Sequence, residues 1–183
     1  MESFLWIVLS YFIGAIPSGY IIGKVFYHVD LKKTGSGNIG ATNAYRELGV
    51  VAGLSVFICD FLKGFIAVHL GMPDPLIVLA CAIAVIVGND WSIFLHFKSG
   101  KGVACGVGAF AYISAPAVLC AFAVWLLVFK AKHIVSLSSI IAAPVVALVL
   151  LIEGASAEYV IFAALAAVIV IGKHKDNIKR LLK

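Results

Sequence analysis

Six apolar runs, at about 4–23, 50–70, 75–97, 103–129, 134–152 and 157–172, fill most of this chain and are joined by short connections. Runs of about 20 apolar residues match the hydrocarbon thickness of a bilayer. Backbone crossing lipid must satisfy its own hydrogen bonds, which selects helices for segments of this length. The chain is 63% hydrophobic and 13% charged, against about 25% charged for an ordinary soluble domain. The expected fold is therefore an all-α integral membrane protein, a single membrane-embedded domain over residues 1–183. Met1–Ile22 lacks a basic start and is interrupted by Gly14, Pro17 and Gly19, so no cleavable signal peptide is expected. Cys59, Cys81, Cys105 and Cys120 sit singly in apolar runs. They read as small buried hydrophobes rather than metal ligands or a disulfide framework.

Charge placement sets the expected topology. Every Lys and Arg except Lys63 falls within 24–46, 98–101, 130–132 or 173–183, whereas Glu2, Asp74, Glu153 and Glu158 mark the opposite ends. The bias of basic residues toward the cytoplasm places the four clusters inside, with the N-terminus outside and the C-terminus cytoplasmic. Run 103–129 then joins two inside clusters and must cross an even number of times, yet it is too short for two full spans. Ser114 and Pro116 near its middle suggest two short helices folded into a hairpin, the alternative being one long tilted helix that would put Lys130 and Lys132 outside and spoil the charge pattern. Counted this way, the chain has seven transmembrane helices.

This topology gathers four polar segments on the cytoplasmic side. The first is Gly35-Ser-Gly-Asn-Ile-Gly-Ala-Thr-Asn-Ala-Tyr-Arg46. Its glycines let backbone N–H groups turn toward an anion, and Arg46 adds a planar, permanently charged fork. Such a segment cannot face lipid, and it reads as a phosphate cradle. Asn38, Thr42 and Asn43 either shape this loop or touch its ligand. The second segment runs from Gly88 to Val103, with Lys101 between two glycines just ahead of an expected helix. A helix N-terminus and an ammonium group there suit phosphate. It is not a P-loop, because the first glycine and the following Ser/Thr of that motif are missing. The third is Ser136-Leu-Ser-Ser-Ile140, whose hydroxyls either cap a helix or join a site. The fourth is Lys173-His-Lys-Asp-Asn-Ile-Lys-Arg180, where His174 and Asn177 share a helical face. Its basic residues also suit lipid headgroups. Within the apolar run at 50–70, Asp60 and Lys63 are spaced i, i+3. They read either as an internal ion pair that braces the helix, a structural or supporting role, or as direct participants in catalysis.

Taken together, these segments resemble the bacterial acyl-phosphate:glycerol-3-phosphate acyltransferases of the PlsY type. The likeness rests on Gly35–Arg46, Asp60-Phe-Leu-Lys-Gly64, Phe97-Lys-Ser-Gly-Lys-Gly-Val103, Val135-Ser-Leu-Ser-Ser139 and His174-Lys-Asp-Asn-Ile-Lys-Arg180, in the family's order along nearly the whole chain. Three positions depart from the family's pattern: Asn89 stands where histidine is typical, Ser99 where a second glycine is usual, and Cys105 where a small hydroxyl residue is common.

The resemblance implies a seven-helix, multi-pass enzyme of the bacterial inner membrane with a cytoplasmic active site. It would move a fatty acyl group from acyl phosphate to the sn-1 hydroxyl of glycerol 3-phosphate, giving lysophosphatidic acid and phosphate, the first step of phospholipid synthesis. It implies catalytic roles for Ser36, Lys101 and His174, with His174 assigned chiefly to binding and orienting phosphate. Asn38, Thr42, Asn43, Arg46, Ser138, Ser139 and Asn177 would bind substrate phosphates or shape their pocket. Acyl phosphate is already activated, so the enzyme mainly has to hold two anionic groups in attack geometry. The hydroxyl proton would go to neutral His174 or to the substrate's own phosphate. No metal, coenzyme A thioester or covalent acyl-enzyme is expected, and no nucleic acid. A monomer is expected, working with membrane lipid around it and with an enzyme that produces acyl phosphate.

Three other patterns are discounted. His69-Leu-Gly-Met-Pro-Asp74 matches the H-x-x-x-x-D signature of a different acyltransferase class but falls on the outer side. His28 and Asp30 are too few to define a metal site. A transporter for phosphorylated molecules would show inverted repeats and a midplane pocket, and a CDP-alcohol phosphotransferase would show paired aspartates; neither signature is evident.

Overall fold

A computed structural model describes residues 2–182, and every regular element among them is helical. They divide into two compact units, Met1–Ala109 and Phe110–Lys183. The first contains α1 (Glu2–Ala15), α2 (Ser18–Phe26), α3 (Ala41–Leu48), α4 (Val50–Leu70), α5 (Pro75–Asp90) and most of α6 (Val103–Ile113). The second contains α7 (Ala115–Lys132), α8 (Val135–Ile152), α9 (Ala157–Lys173) and α10 (Lys175–Leu181). Four helical segments are long and apolar enough to cross a membrane: Val50–Leu70, Pro75–Leu95, Ala115–Lys132 and Val135–Ile152. The count reaches six when the bent pairs α1–α2 and α9–α10 are each taken as one span. Helix α6 is apolar but shorter. Large apolar side chains such as Phe4, Leu76, Leu127 and Ile152 point outward, as expected of helices solvated by lipid.

In the first unit, α1 packs on α5 and α4, and α3 packs on α4. Helices in lipid gain little from apolar burial and rely on close backbone approach at small residues. Two glycine pairs provide it. A Cβ on Gly14 would run into the backbone of Val85, and one on Gly88 into that of Tyr11, which brings α1 and α5 together. Likewise, Gly64 lies against Cys105 and Gly108 against Phe61, joining α4 to α6. At the cradle end, Leu31, Ile39, Ala44, Ala52, Val56 and Leu95 form an apolar cluster that holds α3 and its preceding loop against α4.

Pro17 separates α1 from α2, and the two are bent by 40°. A helix that stops inside lipid leaves carbonyls without partners. Here side chains supply them. Ser92 Oγ donates to the carbonyl of Ala15, and Lys63 Nζ donates to that of Ile16. Lys63 Nζ also lies 2.7 Å from Asp60 Oδ1, both residues being buried. The two charges of α4 thus pair with each other while the lysine finishes the end of α1.

In the second unit, α8 packs on both α7 and α9. Ser114 caps α7, its hydroxyl accepting the N–H of Ala117 at 3.1 Å, and proline occupies the first turn. The break expected inside 103–129 is therefore present. The second helix, however, is not short. It continues through Lys130 and Lys132 to 18 residues, because lysines are good helix formers and their charges suit a helix C-terminus. Asp74 is a second N-cap, accepting the N–H groups of Leu76 and Ile77 at the start of α5. That accounts for this aspartate without any catalytic role.

Candidate active site

The glycine-rich segment folds as a loop followed by α3. Gly35 has φ +55°, and a Cβ there would collide with the side chains of Asn43 and Glu47. Asn43, 3% exposed, organises the loop. Its Oδ1 accepts the N–H of Ser36 at 2.9 Å, and its Nδ2 donates to the carbonyls of Leu31 and Thr34 at 3.2 and 3.1 Å. Asn38 Oδ1 accepts the N–H of Gly40 at 2.7 Å, and the N–H of Gly37 goes to the carbonyl of Thr34 at 2.9 Å. The cradle expected from the glycines therefore needs correcting in one respect. The amides of Ser36, Gly37 and Gly40 are donated within the protein, because two asparagine side chains and a local turn reach them first. Ser36 and Arg46 are exposed, and Thr42 is half-buried on α3.

The Lys101 loop lies beside this segment within the same unit. Asn38 Nδ2 donates to the carbonyl of Ser99 at 3.4 Å, so the first and second polar segments are tied together by a side chain of the first. The N–H of Gly100 donates to the carbonyl of Asn89 at 2.9 Å, and α6 begins two residues after Lys101. Lys101 is half-buried. Two of the three departures from the family pattern have side-chain partners here. Asn89 Nδ2 donates to Asp90 Oδ1 at 3.1 Å and Cys105 Sγ lies 3.8 Å from the carbonyl of Val85, while Ser99 takes part through its backbone carbonyl, which a glycine would supply equally. Of the two discounted groups near the loop, Asp30 accepts the N–H of Lys32 at 3.0 Å, an ordinary turn contact.

In the second unit, α8 and α9 pack side by side across a short turn, so the start of α8 and the end of α9 lie at one end of the pair. Ser138 and Ser139 are buried there. Their hydroxyls do not cap N–H groups. They donate back to the carbonyls of Ile134 and Val135, each at 3.0 Å, and Ser139 also accepts the indole N–H of Trp125 at 3.2 Å. His174, 4% exposed, stands at the 60° bend between α9 and α10. Its Nδ1 lies 2.7 Å from the carbonyl of Val170. A carbonyl only accepts, so Nδ1 carries the hydrogen, and in the neutral ring Nε2 holds the lone pair. Asn177 is half-buried one turn further on, on α10.

Residues 4–183 match the family described as "Glycerol-3-phosphate acyltransferase". This chain belongs to that family. Among its relatives, "Glycerol-3-phosphate acyltransferase 2" of Moorella thermoacetica is 43% identical over 180 residues, covering 97% of this chain and 93% of that protein. The glycerol-3-phosphate acyltransferase of Desulforamulus reducens is 40% identical, covering 97% and 90%. The crystal structure of PlsY (YgiH), an integral membrane glycerol 3-phosphate acyltransferase, in its glycerol 3-phosphate form matches with a TM-score of 0.95 at 36% identity, covering 100% of this chain and 92% of that one. Its lysophosphatidic acid form matches with a TM-score of 0.93 at 34% identity and the same coverage.

Two residues that sequence reasoning passed over belong in a description of this acyltransferase. Asp90 is buried at the end of α5 beside the Lys101 loop, and Trp125 on α7 holds the Ser139 hydroxyl. An acid closing an otherwise apolar run, within the same polar segment as Lys101, was the readable signal for the first. Trp125 carries none, since a tryptophan in an apolar helix is ordinary.

Proposed function

We propose that this acyltransferase moves a fatty acyl group from acyl phosphate to the sn-1 hydroxyl of glycerol 3-phosphate, releasing lysophosphatidic acid and inorganic phosphate. The observation that carries this is the whole-chain likeness to PlsY in both its glycerol 3-phosphate and lysophosphatidic acid forms, at TM-scores of 0.95 and 0.93. The chemistry suits the residues present. The donor is an activated mixed anhydride, so the protein's task is to hold two phosphate-bearing molecules and stabilise the charge that develops on transfer.

In this reading the phosphates are held by side chains more than by loop amides. The bonding of Ser36, Gly37 and Gly40 supports this, since their N–H groups have partners inside the loop. Ser36, Arg46 and Lys101 supply a hydroxyl and two cations, with Thr42 beside them, and Asn38 and Asn43 hold the loop in shape. Ser138, Ser139, His174 and Asn177 are the further candidates to bind substrate phosphate. His174 is assigned chiefly to binding and orienting phosphate, with the attacking hydroxyl's proton going to its neutral ring or to the substrate's own phosphate. Asp60 and Lys63 support the fold. We read residues 1–183 as a single membrane-embedded acyltransferase domain that works as a monomer, alongside an enzyme that makes acyl phosphate.

Orientation follows from the charges. The basic clusters around Lys24–Arg46, Lys98–Lys101, Lys130–Lys132 and Lys173–Lys183 favour the cytoplasmic side. Counting α6 as a short crossing brings the six spans to seven, with the N-terminus outside and the active site facing the cytoplasm.

Purified protein supplied with glycerol 3-phosphate and a palmitoyl phosphate donor should form lysophosphatidic acid without added metal or coenzyme A. Product formed only with an acyl thioester would overturn the donor assignment.

A further inference from the structure

Lys101 is held between two glycines, and each glycine is seated on a polar residue at the end of α5. Gly100 donates its N–H to the carbonyl of Asn89, and a Cβ on Gly100 would collide with the Asn89 side chain. Gly102, at φ +68°, lies against Asp90. A Cβ there would stand 3.2 Å from Asp90 Oδ2 and 3.4 Å from Oδ1. Asp90 is itself 0% exposed, and its Oδ1 accepts the Asn89 amide at 3.1 Å. A buried carboxylate is expensive compared with an apolar residue of the same size. Packing alone is therefore a poor reason for an acid at this position. Its location offers a better one, because α6 starts immediately after Gly102 and the positive end of a helix favours a nearby anion.

We propose that Asp90, oriented by Asn89, is a positioning residue that fixes the Gly100–Gly102 turn at the mouth of α6 and so aims the Lys101 ammonium at the phosphate. The negative charge holds the start of α6, the Asn89 carbonyl holds Gly100, and Lys101 between them has its backbone direction set on both sides. Asn89 thereby has a use as the amide that orients Asp90. The proposal rests on the assignment of Lys101 to the reaction, and the test separates the two.

Asp90→Asn keeps the shape and removes the charge, while Asp90→Ala removes both. With Asp90→Asn, kcat should fall about 10-fold, while KM for glycerol 3-phosphate stays within about twofold and the unfolding midpoint is retained. Asp90→Ala should approach the roughly 100-fold loss that a displaced catalytic group brings. Asp90→Glu should recover part of the rate. In a Lys101→Ala background, Asp90→Asn should cost less than about twofold more, since there is no ammonium left to aim. Full activity of Asp90→Asn, or losses that multiply in the double variant, would overturn the proposal even with Lys101→Ala impaired. Full activity of Lys101→Ala alone would instead remove the assignment beneath it. If Asp90→Ala does not fold, Asp90→Asn and its double variant decide the matter.

Discussion

Asn43 Oδ1 accepts the backbone N–H of Ser36 across seven residues at 2.9 Å, so an asparagine on α3 sets the position of the serine in the preceding loop. The same side chain donates to the carbonyls of Leu31 and Thr34. Asn43→Ala should strand the buried carbonyl of Leu31 and release the exposed N–H of Ser36 to solvent, while the carbonyl of Thr34 keeps the N–H of Gly37. Each buried polar group so stranded costs about 1–3 kcal/mol. A clear drop in the thermal unfolding midpoint is expected, together with loss of lysophosphatidic acid formation. An unchanged midpoint would show that the loop keeps its shape without this amide.

Ser36→Ala and Lys101→Ala test the proposed phosphate contacts directly. Removing one donor that stabilises developing charge lowers rate by about 10²–10³-fold. Losses of that order in kcat/KM are expected in protein that still folds, as judged by its unfolding midpoint. Wild-type turnover in both variants would place the chemistry elsewhere.

The Asp60–Lys63 pair should behave as a coupled unit. Lys63→Ala leaves a buried carboxylate uncompensated, at a cost of about 3–5 kcal/mol. Combining it with Asp60→Ala should restore part of that loss. Only part is recoverable, because Lys63 also serves the carbonyl of Ile16. Unfolding measurements on the two single variants and the double would decide, strict additivity being the contrary result.

Two glycines give a paired prediction on packing. A side chain at Gly108 meets the backbone of Phe61, so Gly108→Leu should prevent α4 and α6 from closing and abolish folded protein. Gly172 in α9 has nothing within 4 Å of its Cβ position. Gly172→Ala should be neutral or stabilising by up to about 1 kcal/mol, since alanine is the better helix former. Comparing yield and midpoint of the two purified variants checks both halves.

Hydropathy carried much of the fold. The apolar run at 50–70 coincides with α4, and those at 134–152 and 157–172 lie within a residue of α8 and α9. Ser114 and Pro116 announced the break before α7 because both act locally on the backbone. Pro17 is also visible in the sequence, yet the split of the first run into α1 and α2 needed Ser92 and Lys63 to finish the carbonyls, and those contacts are distant in sequence. Helix α3 was hidden for another reason. It is short and polar, and its stability comes from packing on α4 rather than from any periodic pattern. At the candidate site, residue types and spacing pointed to Arg46, Lys101 and His174, and the family resemblance pointed to Ser36. They left open whether the asparagines and serines face a ligand or the chain itself. Side chain to backbone bonds such as those of Asn43, Ser138 and Ser139 have no sequence periodicity to betray them.

The bond from Lys63 to the carbonyl of Ile16 has a consequence for biogenesis. The ribosome completes α1 before it makes α4, so the acceptor is synthesised ahead of the charge that needs it. A lysine entering the bilayer on α4 has Asp60 on its own helix as an immediate counter-ion, and the unfinished end of α1 as its second anchor. The order of the helices along the chain therefore matches the order in which an intramembrane charge can be accommodated.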